Sequence, residues 1–184
     1  ILTDERLERY LHPDRLETIR QSIRNPKGPQ SVIQYQAPWT DFKAMREESV
    51  DLILSQAVLE HIDDLEKAYQ AMQAWLKPGG VMSHCIDFKC HNTADQWNGH
   101  WTYSDFIWNW MRGKRPYLLN REPLSTHLQL HRRCGFTQVE LEKTQLPSHL
   151  KREDLMPQFQ NFEADDLVTS TVFIQSRKER RSEN

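Results

Sequence analysis

The sequence predicts an α/β domain built on a mainly parallel sheet. Apolar, strand-like runs alternate with stretches of helical periodicity, the order that lays helices against parallel strands. The run Val50-Asp51-Leu52-Ile53-Leu54-Ser55 reads as a strand buried on both faces. The helix after it has start and stop chemistry, Asp63-Asp64-Leu65-Glu66 before it and Pro78-Gly79-Gly80 behind.

Taken in order, Ile1-Leu2-Thr3-Asp4 reads as the end of a strand. Leu16, Ile19 and Ile23 recur at helical spacing after His12-Pro13-Asp14, where proline suits a first turn, and Asn25-Pro26-Lys27-Gly28-Pro29 stops that helix. Ser31 to Tyr35 alternates and reads as a short strand. Asp63 with Glu66 three residues on resembles a capping box, and Leu65, Ala68, Tyr69, Met72 and Leu76 share one helix face. Val81 to Ile86 is the next strand. Residues 87–123, rich in Trp, His and Asn, are too long for a simple connection. Leu124 to Arg133 reads as a helix closed by Gly135. Phe136 to Leu141 and Leu167 to Ile174 are strands that could pair antiparallel at one edge. The domain spans residues 1–176, and Arg177 to Asn184 form a charged, frayed tail.

Composition narrows the function classes. A net charge of −2, from 24 basic and 26 acidic side chains, argues against general nucleic-acid binding. Apolar runs of a few residues cannot span a bilayer, and the charged first residues contain no apolar signal segment. Cys85, Cys90 and Cys134 cannot form a full disulfide framework, so reduced thiols and a cytoplasmic setting are expected. His84-Cys85 and Cys90-His91 could suggest zinc. Their spacing fits no familiar signature, and strand alternation turns His84 and Cys85 to opposite faces, so no metal is expected.

The segment Ser49-Val50-Asp51-Leu52-Ile53-Leu54-Ser55-Gln56-Ala57-Val58-Leu59-Glu60-His61-Ile62, followed by Leu76-Lys77-Pro78-Gly79-Gly80, resembles class I methyltransferases of the type 11 group. The resemblance is sharpest over residues 31–87 and extends through the last two strands. It implies a Rossmann-like sheet, S-adenosylmethionine as methyl donor, and a small-molecule or glycan-like acceptor methylated at oxygen. The departure from the family is large. Its glycine-rich turn after the first strand cannot be drawn from glycines at 28, 79, 80, 99, 113 and 135. On this alignment the first strand and that turn would lie upstream of Ile1, either in a longer polypeptide or lost. The alternative reading is a non-catalytic methyltransferase-like binding or scaffold domain.

The resemblance also distributes roles, because ligands sit beyond the carboxyl ends of the strands in such sheets. Asp4 would take the ribose hydroxyls, Ala37 and Pro38 would line the adenine, and Ser55, Gln56 and His61 would flank the methionine part. His84, Asp87 and His91 are the place to look for a base, since a histidine titrates near neutral pH and an aspartate can orient it. Residues 87–123 would form the acceptor side, with Trp97, His100, Trp101, Asn120 and Arg121 as contacts. Most rings there are expected to pack, and one or two to stack on the acceptor.

Overall fold

The computed structural model describes residues 3–36, 42–115 and 117–180. The chain divides into two compact units, 1–44 and 45–184. Ala37 and Pro38, expected at the adenine, lie outside the described residues.

In the first unit Thr3 caps helix α1 (Asp4–Tyr10), its hydroxyl accepting from the Arg6 amide at 3.3 Å. Asp4 is thus the first residue of a helix, and exposed. Helix α2 (Pro13–Arg24) begins on a proline, as its sequence requires. The strand expected at 31–35 does not form. The Ser22 hydroxyl on α2 accepts from the Val32 amide at 3.0 Å, and Ser31 bonds the Ile33 carbonyl. These local bonds occupy backbone groups that a sheet ladder would need.

The second unit holds a four-stranded sheet in the order β1-β2-β4-β3, formed by β1 (Val50–Gln56), β2 (Leu76–Asp87), β3 (Phe136–Gln145) and β4 (Thr169–Lys178). β1 pairs parallel with β2, and β4 pairs antiparallel with both β2 and β3. Three strands therefore run one way and only β4 is reversed, a mainly parallel sheet with an antiparallel edge. Val50–Ser55 is not central among the described strands. It ends the sheet, and Leu52 and Leu54 on its outer face are 57% and 73% exposed. The apolar run records strand propensity, not burial on both faces.

Helices α3 (Leu65–Trp75) and α5 (Leu124–Arg133) supply the core that packs with the sheet. Leu65, Tyr69 and Met72 of α3 join Leu124 and Leu130 of α5, Met82 and Ile86 of β2, and Val172 and Ile174 of β4. Several boundaries move. Asp64, not Asp63, caps α3, its carboxylate accepting from the Lys67 amide at 3.0 Å, while Asp63 pairs with Arg112 at 2.6 Å. Pro78-Gly79-Gly80 lies inside β2, because α3 already stops at Trp75. A residue with a Cβ at position 80 would stand 2.9 Å from the Lys77 carbonyl and 3.2 Å from that of Val50, which explains the glycine at this irregular pairing. Arg177 and Lys178 belong to β4 rather than to a tail. Lys178 donates to the carbonyls of Gln73 and Leu76 at 2.8 and 2.9 Å, satisfying acceptors that the end of α3 leaves open.

Candidate active site

β1 and β2 run parallel, so Gln56 and Asp87 reach the same edge of the sheet. β3 ends and β4 begins there too. The chain leaves this edge after Asp87 and forms the 3-10 turn Gly99–Thr102 and helix α4 (Asp105–Arg112) before α5. Bonds to the segment between β3 and β4 hold this stretch. The Trp97 indole donates to the Pro147 carbonyl at 3.0 Å, and the Asn98 amide donates to Ser148 Oγ and the Leu167 carbonyl.

Asp87 organises the edge. Its carboxylate accepts from the Lys89 amide at 2.9 Å and pairs with Lys89 Nζ at 3.1 Å. His91 Nε2 stands 3.6 Å from it, an ion-pair separation when the ring is protonated. His91 and Asn92 have φ of 48° and 62°, a left-handed bend that turns the chain back over the strand end. The His61 ring lies 5.3 Å from that of His91, and its pKa is lowered by burial and by His91. Asp87, His91 and His61 are therefore brought together. A carboxylate beside a partly exposed imidazole can steer that ring and accept its charge when it takes up a proton.

His84 is not part of this group. It is 1% exposed on the core face of β2, its Nδ1 lies 2.7 Å from Ser55 Oγ, and burial pushes its pKa down to about 4. It is a neutral core imidazole, which removes the basis for reading it as an accessible base. Ser55 faces the same side, its hydroxyl taken up by His84, whereas Gln56 is exposed on the opposite face. The two side chains do not flank one ligand group together.

The expected acceptor contacts also separate. Trp101 is fully buried, donating its indole N–H to the Arg121 carbonyl at 3.0 Å. The Arg121 guanidinium is sandwiched 4.9 Å from both the Trp108 and Phe159 rings, and it bonds Asp105 and the Tyr103 carbonyl. Asn120 Nδ2 donates to the carbonyls of Leu59 and Ile62 at 2.8 Å each, clamping the 3-10 turn Leu59–His61. His100 is buried, with its pKa pushed down to about 3 by burial first and by Arg121 next. These residues build the wall and do not face an open cleft. Exposed rings of the segment include Phe106 and Trp110, 81% and 79% exposed and one turn apart on α4. Sequence reasoning named neither as a contact, although both sit in the same Trp-rich run. Glu60 was missed too. It is 3% exposed beside His61, and burial raises its carboxyl to about 7. An acid set among Val58, Leu59 and Ile62 was the available signal. Among the described residues no group of three or more His, Cys, Asp or Glu side chains is placed to hold a metal.

This arrangement defines the class: a sheet of co-directional strands with one reversed strand inserted before the last, and a polar cluster at the carboxyl edge, is a class I methyltransferase fold. Residues 4–83 match the family model described as a methyltransferase domain. An S-adenosylmethionine-dependent methyltransferase from Mesorhizobium loti is similar in structure, with 15% identity, a TM-score of 0.51, and coverage of 91% of this chain and 77% of that one. A candidate S-adenosylmethionine-dependent methyltransferase from Listeria monocytogenes shows 16% identity and a TM-score of 0.52 over 89% and 76% of the two chains. A candidate methyltransferase from Bacillus halodurans shows 16% identity and a TM-score of 0.50 over 91% and 80%. No curated protein sequence matches the chain. At these identities the solved structures show that the chain shares their fold.

The donor's needs can be set against the residues present. The exposed Gln56 amide and the left-handed turn at Ala57 (φ 50°) fit the amino-acid end of S-adenosylmethionine. No glycine turn among the described residues fits the close approach its nucleotide end requires.

Proposed function

We propose that this domain transfers the methyl group of S-adenosylmethionine to a hydroxyl of a small or glycan-like acceptor. The observation that carries the reading is the Asp87–His91 pair, 3.6 Å apart at the edge where β1 and β2 end. The donor's sulfonium would lie by Gln56 and Ala57, and the acceptor would enter over Asp87. There His91 would take the hydroxyl proton while Asp87 steadies the ring. The exposed Phe106 and Trp110 faces suit stacking on a sugar. Three free thiols agree with a cytoplasmic setting. No helix among the described residues is long and apolar enough to cross a membrane.

The test is label transfer from methyl-labelled S-adenosylmethionine by the full polypeptide containing these residues. A panel of free sugars, nucleotide sugars and small phenols serves as acceptors. Label on a saccharide oxygen is the expected result. Donor binding without transfer to any acceptor would favour the non-catalytic binding domain instead.

A further inference from the structure

The Glu60 side chain is almost wholly buried, and its carboxyl oxygens have no hydrogen-bond partner of ordinary geometry; the backbone amides of Glu60 and Asp87 are the donors near enough to favour its ionised form. A carboxylate held by so few donors in such a place is costly, whereas a neutral carboxyl is tolerated. Packing does not demand an acid here, since a Leu or Gln would fill similar space. The turn that carries it is fixed. Asn120 bonds the carbonyls on either side of Glu60, and the Asn120 amide donates to the Glu60 carbonyl at 2.8 Å. Glu60 and Asp87 line one small cavity, bordered also by His100 and Asn120, with about 10 Å³ open to the centre of a water molecule. That is room for roughly one water, enough to relay a proton between two carboxyls.

We propose that Glu60 and Asp87 act as a carboxyl pair, in which Glu60 receives through Asp87 the proton that the acceptor loses. This rests on the reading that the acceptor enters over Asp87. The hydroxyl oxygen bonds the methyl carbon as the carbon–sulfur bond breaks, and the bond pair stays on sulfur as a neutral thioether. The hydroxyl proton passes by way of His91 to Asp87, and from Asp87 to ionised Glu60. Burial first and Asp87 next raise the Glu60 carboxyl, while the backbone amides of Glu60 and Asp87 and, least, Lys89 lower it. His61 is the next residue on the same turn, His91 on the bend faces Asp87, and His100 on the turn Gly99–Thr102 borders the cavity, as do Arg121 and Glu122 from the segment before α5. Because the pair is coupled, its ionisations belong to both residues.

The test follows glutamate carboxyls by carbon-13 spectroscopy of the labelled full polypeptide from pH 5 to 9, and turnover on the acceptor panel over the same range. One glutamate should titrate near neutral, vanish in Glu60→Gln, and fall by about half a unit or more in Asp87→Asn as a like charge is removed. In Glu60→Gln, turnover at pH 8 should fall about tenfold or more and lose its rise through neutral pH, with donor affinity unchanged. Glu60 titrating with the ordinary glutamates, or a turnover profile unmoved by Glu60→Gln, would overturn the proposal. A neutral-pH titration with no turnover on any acceptor would instead overturn the methyl-transfer reading, and the catalytic role of the pair with it.

Discussion

Tyr69 on α3 and His127 on α5 meet inside the core, with the phenol oxygen 2.9 Å from Nδ1 and both side chains fully buried. This bond ties two helices that the sequence places far apart. Removing the hydroxyl strands a buried ring nitrogen, which costs about 1–3 kcal/mol. Tyr69→Phe should therefore shift the urea midpoint down by that amount without changing the slope of the transition. An unchanged midpoint would mean that the contact carries no net stability.

Acid should unfold this protein early. His84, His127 and His131 lie together in the core, with pKa values pushed down by burial to about 4, 3 and 3. Each folded value is below the unfolded one, so the stability these rings contribute is present above about pH 6.5 and is lost as pH falls toward the folded values. Each ring contributes a slope of up to about 1.4 kcal/mol per pH unit in that window. Melting temperatures from pH 7.5 to 4.5 should drop steeply below about 6. A flat profile to pH 4.5 would contradict neutral, buried imidazoles.

Glu60 has the opposite sign. Its folded pKa is raised, so the folded state is favoured most when the carboxyl is protonated and loses stability as pH rises from about 4.5 through 7. Glu60→Gln should stabilise the fold at pH 8 by on the order of 2 kcal/mol and be near neutral at pH 5. Denaturant titrations at the two pH values check this, and equal effects at both would contradict it.

Trp101→Ala should destabilise by about 3–5 kcal/mol, because the ring is fully buried and anchors the stretch after Asp87 through the Arg121 carbonyl. The thermal midpoint reads this directly. A variant as stable as the parent would return Trp101 to the list of acceptor contacts.

Strands β1 to β4 and helices α2, α3 and α5 were legible because period and punctuation agree along each of them. Placement of the site was legible only in part. Asp87, His91 and His61 converge because the strand end and the bend bring them together, a pattern that spacing along one strand hints at. His84 shows the limit. Alternation assigns it a face, but only the packing of α3 and α5 decides that this face is the core. Asp166 was invisible for a similar reason. It caps α5 from forty-one residues away, accepting from the Ser125 amide and hydroxyl at 2.8 and 2.6 Å, where the helix's own N-cap, Pro123, offers no side-chain bond. A capping contact of that range has no local sequence signature.

The most direct measurement is turnover and donor affinity of His91→Ala in the full polypeptide, using methyl-labelled S-adenosylmethionine and the acceptor that accepts label. His91 is exposed beside Asp87 and lies outside the core, so the fold should hold. Turnover should fall by about 100-fold or more, the range for losing a positioned base, with donor affinity within a few-fold. Unchanged turnover, or loss of donor binding in a folded variant, would contradict an acceptor side built on Asp87 and His91.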